Sequence, residues 1–267
     1  MNDKGKKQYS GKTLSRRERL KEFYLSIKEC AKCELSQTRT NFVFGSGNAD
    51  SRILFVGEAP GKNEDILGRP FVGQAGRILD ELLENAGFLR SEIFIANVLK
   101  CRPPLNRDPL ASEIDLCKPY LFQQIEIIDP GIICTMGRYS TQLLLEIAAP
   151  ISSLRGKIYK KNGRVILPIN HPAAALYTRS RLQLLQEDFR RLKDIALALS
   201  EGRDFPGIAG ALICENKTGQ LANPVHETQT VDAGKKGAHK SLKEKEGYGQ
   251  NRESAGSKGE SSQLGLF

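Results

Sequence analysis

"RILFVGEAPGKNEDILGRPFVGQAGRILDELLENAG", residues 52 to 87, changes character twice along its length. It opens as a short apolar run, Ile53 to Val56, with the length and side chains of a buried strand. It continues as a loop of glycines and prolines that carries three carboxylates, Glu58, Glu64 and Asp65, and ends on Phe71 between Pro70 and Gly73. It closes as a helix: Ile78, Leu79, Leu82, Leu83 and Ala86 share one face, and Gly87 is a stop signal. The loop is poor in helix and strand formers, so its composition points to binding rather than core packing.

Three further apolar runs repeat the opening strand: "EIFIANV" at 92–98, "GIICTMG" at 131–137 and "RVILPIN" at 164–170. Segments of helical period separate them, with helices expected at 109–128, 138–148 and 179–199. The alternation predicts an α/β fold in three layers, a central, mostly parallel four-stranded sheet flanked by helices. In such sheets ligands bind beyond the carboxyl ends of the strands. Glu58 to Gly61, Asn97 with "KCRPPLNR", Gly137-Arg138 and Asn170-His171-Pro172 follow the four strands and are therefore expected to share one crevice.

The chain has 267 residues, 40 Lys and Arg against 31 Asp and Glu, and a formal charge of +9. Residues 201–267 hold nine of each sign, so the whole excess sits in residues 1–200. A basic folded portion suggests a polyanionic partner, nucleic acid before anionic membrane. From Glu201 onward Gly, Lys, Glu, Ser and Gln take over with no hydrophobic period, which reads as a disordered tail. The expected organisation is a basic arm at 1–22, a folded domain at 23–200 and the tail at 201–267. The N-terminal charges have no apolar run behind them and no stretch has the length of a membrane span, so an intracellular, cytoplasmic protein is expected.

In a reducing compartment the six cysteines read as metal or cluster ligands or as core thiols, not as a disulfide frame. Cys30 and Cys33 form "CAKC", with Cys101 and Cys117 further on. Structural zinc usually takes two close pairs, and the second is missing; an iron-sulfur cubane accepts less regular spacing where the fold gathers four thiolates. Spacing favours the cluster and leaves ordinary core thiols at 101 and 117 open. Cys134, inside an apolar strand, reads as a small hydrophobe, and Cys214 has no partner.

"GEAPGKNEDILGRPFVGQAGRILDELL", "NVLKCRPPLNRDP", the four cysteines and "HPAAALY" together resemble the family 4 uracil-DNA glycosylases, iron-sulfur repair enzymes of bacteria and archaea, over about residues 23–199. The resemblance implies the uracil-DNA glycosylase fold, a 4Fe-4S cluster on Cys30, Cys33, Cys101 and Cys117, and monofunctional hydrolysis of the N-glycosidic bond of deoxyuridine in DNA. It implies Phe71 as the platform that stacks a flipped base, Asn97 as the amide that reads the edge of uracil, and His171 as the donor to uracil O2. Ala59 stands where family 1 enzymes carry an Asp, and is expected against the base. The group that positions water or steadies the cationic sugar then comes from Glu58, Glu64 or Asn106; Glu64 and Asn106 are the expected pair, with Glu58 holding the loop through backbone amides.

Backbone phosphates are expected at Gly61, Lys62, Gly137, Arg138, Arg179 and Arg181. Leu176 or Tyr177 is expected to fill the hole that the flipped base leaves. The final "SSQLGLF" resembles the peptides by which repair enzymes dock on DNA sliding clamps, carried by Gln263, Leu264, Leu266 and Phe267. A monomer is expected. The alternative is a cluster-bearing nucleic-acid-binding or redox protein of the same fold without turnover.

Overall fold

The computed structural model describes residues 14–176, 178–203 and 212–213. All of them lie in one compact unit. The chain runs through α1 (Arg16–Ile27), α2 (Leu35–Thr38), β1 (Ser46–Gly47), β2 (Ile53–Gly57), α3 (Lys62–Leu67), α4 (Gln74–Ala86), β3 (Phe94–Asn97) and α5 (Ala111–Ile128). It continues through β4 (Ile132–Met136), α6 (Arg138–Leu145), α7 (Ile151–Leu154), β5 (Tyr159–Lys161), β6 (Arg164–Ile169), α8 (Arg179–Ser200) and β7 (Leu212–Ile213).

The sheet order is β1-β3-β2-β4-β6-β5-β7. Its centre is the four expected strands, β3, β2, β4 and β6, all parallel. The sheet is nevertheless wider than four: β1 pairs antiparallel with β3, β5 pairs antiparallel with β6, and β7 adds to β5. These edge strands are two or three residues long and carry too little periodicity to be legible in the sequence.

Alternation along the strands builds the three layers. Leu54, Val56, Phe94 and Ala96 face α1 and α5, whereas Ile53, Phe55 and Ile95 face α4 and α8. Phe55 stacks on Phe189 of α8 at 5.8 Å between ring centroids. The apolar stripe read for α4 is the one it buries, with Leu79, Leu82, Leu83 and Ala86 inside and Ile78 half-buried. Gly87 closes α4 at φ 82°, a conformation that glycine adopts without the cost of a Cβ.

Two expected boundaries shift. Helix α1 begins at Arg16, inside the stretch expected to be an arm, because Ser15 and Glu18 form a reciprocal cap. Ser15 N–H donates to Glu18 Oε2 at 2.8 Å and Glu18 N–H donates to Ser15 Oγ at 3.3 Å, worth about 1 kcal/mol. At the other end β7 falls within the stretch expected to be disordered, where its backbone pairs with Tyr159 and Lys160. Residues 1–13, Tyr177 and the peptide Gln263 to Phe267 lie outside the described residues.

Candidate active site

β2, β3 and β6 end at the same edge of the sheet, and their last residues open into one cavity of about 260 Å3. Glu58, Ala59, Gly61 and Glu64 line it from the loop after β2, Phe71 from the turn before α4, Asn97 from the end of β3, Asn106 from the turn after it, and His171 from beyond β6. Residues up to 113 positions apart in the chain thus share one space. It lies just below the roughly 300–1,000 Å3 of sites for drug-sized ligands, a size suited to one small heterocycle.

Small residues make room for the large ones. A Cβ on Gly57 would lie 2.3 Å from Asn97 Oδ1 and 2.9 Å from the Phe71 ring, so glycine at the end of β2 is required by both neighbours. Gly76 meets Phe71 just as closely, its Cβ position 2.0 Å from the Phe71 carbonyl oxygen. Phe71 itself has φ 52°, a costly conformation for a bulky side chain that the surroundings must hold. Arg90 supplies part of that hold, donating through Nη2 to the carbonyls of Pro70 and Phe71 at 3.0 and 3.1 Å.

The buried ring of Phe71 stacks on His171 at 5.5 Å between centroids and 28° between planes. Ala173 N–H donates to His171 Nδ1 at 3.2 Å, which makes Nδ1 the acceptor and leaves the proton of a neutral imidazole on Nε2. Burial pushes the His171 pKa down to about 4, against the upward pull of Glu64, so the ring is neutral at physiological pH. Asn97 is 2% exposed and its Oδ1 is buried without a hydrogen-bond partner. A buried acceptor left open in this way costs free energy that a bound donor would recover.

The carboxylates divide differently from expectation. Glu64 Oε1 accepts the backbone N–H groups of Val72 and Gly73 at 2.9 and 2.8 Å, clasping the turn that presents Phe71. Asp65 accepts from Thr40 and Asn41 and fastens α3 to the segment before β1. Glu58 is the perturbed group: burial, reinforced by Asp108 and opposed by Arg138, pushes its pKa up to about 7. The loop-holding role expected of Glu58 is therefore filled by Glu64. Asn106 Oδ1 accepts from Arg102 Nε at 2.7 Å, and its backbone and that of Leu105 both have positive φ, 55° and 54°.

None of the cationic side chains expected at the phosphates, Lys62, Arg138, Arg179 and Arg181, lines the cavity. Lys62 is exposed on the first turn of α3, and Arg179 and Arg181 are exposed on the first turn of α8. Arg138 pairs with Asp108 at 3.0 Å and lies over the Tyr139 ring at 4.4 Å. Gly137, at φ 95°, brings this turn against His171, its Cβ position 3.4 Å from the His171 Cβ. Leu176 is 39% exposed. Leu105, which the sequence reading passed over, is 95% exposed between the cavity residues Pro103 and Asn106. Arg107 was also missed; it lines the cavity and holds Glu113 with two hydrogen bonds of 2.9 and 2.6 Å.

Cys101 and Cys117 lie in the core that α1 and α5 build on the sheet and Cys30 and Cys33 pack against it, all four as free thiols near enough for Cys30 and Cys33 to act on Cys101, and Cys101 and Cys33 on Cys117. Each of three sulfurs has a donor: Tyr120 Oη to Cys30 at 3.1 Å, Arg39 Nη1 to Cys101 at 3.2 Å, and Lys100 N–H to Cys117 at 3.3 Å. Burial pushes the Cys117 thiol up to about 11, with Lys100 opposing and Cys101 and Cys33 adding to the rise. Among the described residues no three His, Cys, Asp or Glu side chains stand close enough for a single metal ion. An iron-sulfur cubane spreads its thiolates more widely than one ion does, and N–H and O–H donors to sulfur suit it. The residues present fit such a group. Cys134 is fully buried in β4, away from the four.

Residues 44–193, which hold the four parallel strands of the sheet and the residues that line its cavity, match the family model described as the uracil DNA glycosylase superfamily. Curated relatives include a type-4 uracil-DNA glycosylase of Sulfurisphaera tokodaii, 47% identical over 67% of this chain and 84% of the relative. One of Saccharolobus solfataricus is 49% identical over 63% and 82%, and one of Archaeoglobus fulgidus 42% identical over 67% and 94%. The chain belongs to the type-4 uracil-DNA glycosylases.

Proposed function

We propose that the chain excises uracil from DNA, hydrolysing the N-glycosidic bond of deoxyuridine to release the base and leave an abasic site, as a monofunctional glycosylase of base excision repair. The observation that carries this reading is that Asn97, whose buried Oδ1 has no hydrogen-bond partner, lines the same cavity as Phe71 and His171. Uracil offers an N3–H donor beside its O4 acceptor, which an amide complements; cytosine offers the reverse and would leave buried groups unpaired. Phe71 stacks the base, worth roughly 1 to 3 kcal/mol against the cost of extruding it. Neutral His171, its Nδ1 already occupied by Ala173 N–H, donates from Nε2 to uracil O2 as charge grows on the leaving base.

Glu58 acts on the sugar side. As a carboxylate it stabilises the oxocarbenium-like centre, and Asn106 orients the water that captures it. An amide has no useful basicity, so Asn106 positions the water and takes no proton; the proton that the water sheds on capture passes to the Glu58 carboxylate and, through solvent, to the released uracil anion. Glu64 serves the site by fixing the Phe71 turn, and Ala59 lies against the base. Lys62, Arg138, Arg179 and Arg181, with the backbone at Gly61 and Gly137, meet the phosphates, and Leu176 or Tyr177 enters the vacated stack.

Cys30, Cys33, Cys101 and Cys117 would hold a 4Fe-4S cluster, which when bound supplies an electron-transfer centre or a structural clamp between the N-terminal helices and the sheet. Purified protein holding it absorbs near about 400 nm. We place the residues ahead of α1 as a basic arm, the catalytic domain from α1 through β7 and, at the end of the tail, Gln263, Leu264, Leu266 and Phe267 as a sliding-clamp peptide on a monomeric, intracellular enzyme. Among the described residues no helix is long and apolar enough to cross a membrane.

Incubation of the protein with single-stranded and duplex oligonucleotides carrying U, T or hypoxanthine, followed by alkali, tests the reading. Scission confined to U supports it; an iron-loaded protein that cuts none of them contradicts it.

A further inference from the structure

Lys100 is completely buried, and the catalytic reading makes no use of it. Such burial is rare for a lysine and requires partners for its donors and its charge. Its Nζ turns back along the chain and donates to the carbonyl of Asn97 at 2.8 Å and to Gln124 Oε1 of α5 at 2.6 Å. Gln124 is fully buried too, and its Nε2 donates to the Phe44 carbonyl at 2.9 Å. The backbone of the same lysine faces the other way: its N–H donates to Cys117 Sγ at 3.3 Å, its carbonyl accepts from Val43 N–H at 2.8 Å, and Cys101 follows it in the chain. One residue thus touches the cysteine cluster with its main chain and the base-reading residue with its side chain.

We propose that Lys100 is a positioning residue that couples the four-cysteine centre to the uracil-reading amide, so that fixing the sulfurs also fixes Asn97. The inference rests on the reading of Asn97 given above. Asn97 ends β3, and its side-chain Oδ1 has no partner of its own to hold the amide in place. Its backbone is therefore what sets the direction of the side chain. Val98 and Leu99 tie the following residues to β2 through hydrogen bonds to Gly57 and Glu58. The ammonium of Lys100 fastens the Asn97 carbonyl from the α5 side. With a cluster bound, Cys117 and Cys101 beside the lysine would be thiolates, and their negative charge would offset that of an ammonium buried among neutral carbonyls.

A double-mutant cycle on the full-length, iron-loaded protein separates positioning from general support. Lys100→Met keeps the length of the side chain and removes both donors and charge. Binding of free uracil, read as competitive inhibition on a single-stranded U oligonucleotide, is measured for the wild type, Lys100→Met, Asn97→Ala and the double variant, with absorbance near about 400 nm as the check of loading. The expected result is uracil binding weakened roughly tenfold by Lys100→Met with the absorbance retained, and no further loss when Lys100→Met is added to Asn97→Ala. Equal losses in both backgrounds, or wild-type binding by Lys100→Met, overturn the proposal. Should Lys100→Met fail to load, Gln124→Met, which keeps the lysine and removes one of its anchors, is read on the same cycle with the same two outcomes. Wild-type uracil binding by Asn97→Ala would instead refute the reader itself, a failure distinguishable from that of the coupling.

Discussion

Two acidic side chains show how one physical effect serves two purposes. Asp188 on α8 is 3% exposed, and burial pushes its pKa up to about 6 against the pull of Arg155. Glu58 at the mouth of the cavity is pushed up to about 7 by the same cause. Asp188 is clasped by Arg155 Nη2 at 2.8 Å and Nε at 3.2 Å, and the same arginine donates to the Leu184 carbonyl. Glu58 lies in the fields of Asp108 and Arg138 and faces open space. A buried carboxylate with a fixed partner ties α8 to the segment after α7; one that faces a cavity is available to a ligand. A shifted pKa does not separate the two, whereas the geometry of the partner does.

Exchanging the charges should separate them sharply. Glu58→Gln is expected to lower kcat about 100-fold or more while the protein remains folded, as single-turnover assays would show. Asp188→Asn is expected to leave turnover per folded molecule within a few-fold in the same assay, because that carboxylate is held by Arg155 and lines no part of the cavity. Loss of turnover in a fully folded Asp188→Asn protein would break the distinction.

Acidity gives the next test. Glu58 must be ionised to steady a cationic sugar, so kcat should fall as pH drops through about 7. His171 stays neutral down to about pH 4, so the limb belongs to the carboxylate. It should vanish in Glu58→Gln and persist, at a lower plateau, in His171→Gln. Stability runs the opposite way to activity. The folded pKa of Glu58 lies above the ordinary 4.5, so its contribution is fully present below pH 4.5 and is lost as pH rises through about 7. The melting temperature of Glu58→Gln should therefore exceed that of the wild type at pH 8, with the difference closing towards pH 4.5.

Strain at the rim should give the smallest effect. Leu105 combines φ 54° with 95% exposure, so Leu105→Gly should stabilise by about 1 kcal/mol in thermal unfolding by relieving the left-handed conformation. A loss of stability would mean that the leucine packs in a way its exposure does not suggest.

The central strands and helices were legible because apolar period and length are local properties. The edge strands β1, β5 and β7 were not, since two or three residues carry no period and their pairing is decided by what the neighbouring strand offers. Phe71, Asn97 and His171 could be picked out one by one, each at a strand end or in a loop of unusual composition. That Glu64 rather than Glu58 clasps the loop was not legible: it depends on which carboxylate reaches the amides of Val72 and Gly73, eight and nine residues beyond Glu64. Lys100 was hidden for a related reason. In the sequence it is one lysine of a basic loop, and only the fold shows its ammonium turned inward onto Asn97 and Gln124.

The account stands most directly on the amide of Asn97 as reader of the base. Single-turnover cleavage of U-containing and C-containing oligonucleotides by the wild type and by Asn97→Ala tests it. Release of uracil alone by the wild type, slowed about 100-fold or more in Asn97→Ala at unchanged melting temperature, is the predicted result. Uracil release by Asn97→Ala at the wild-type rate would contradict it.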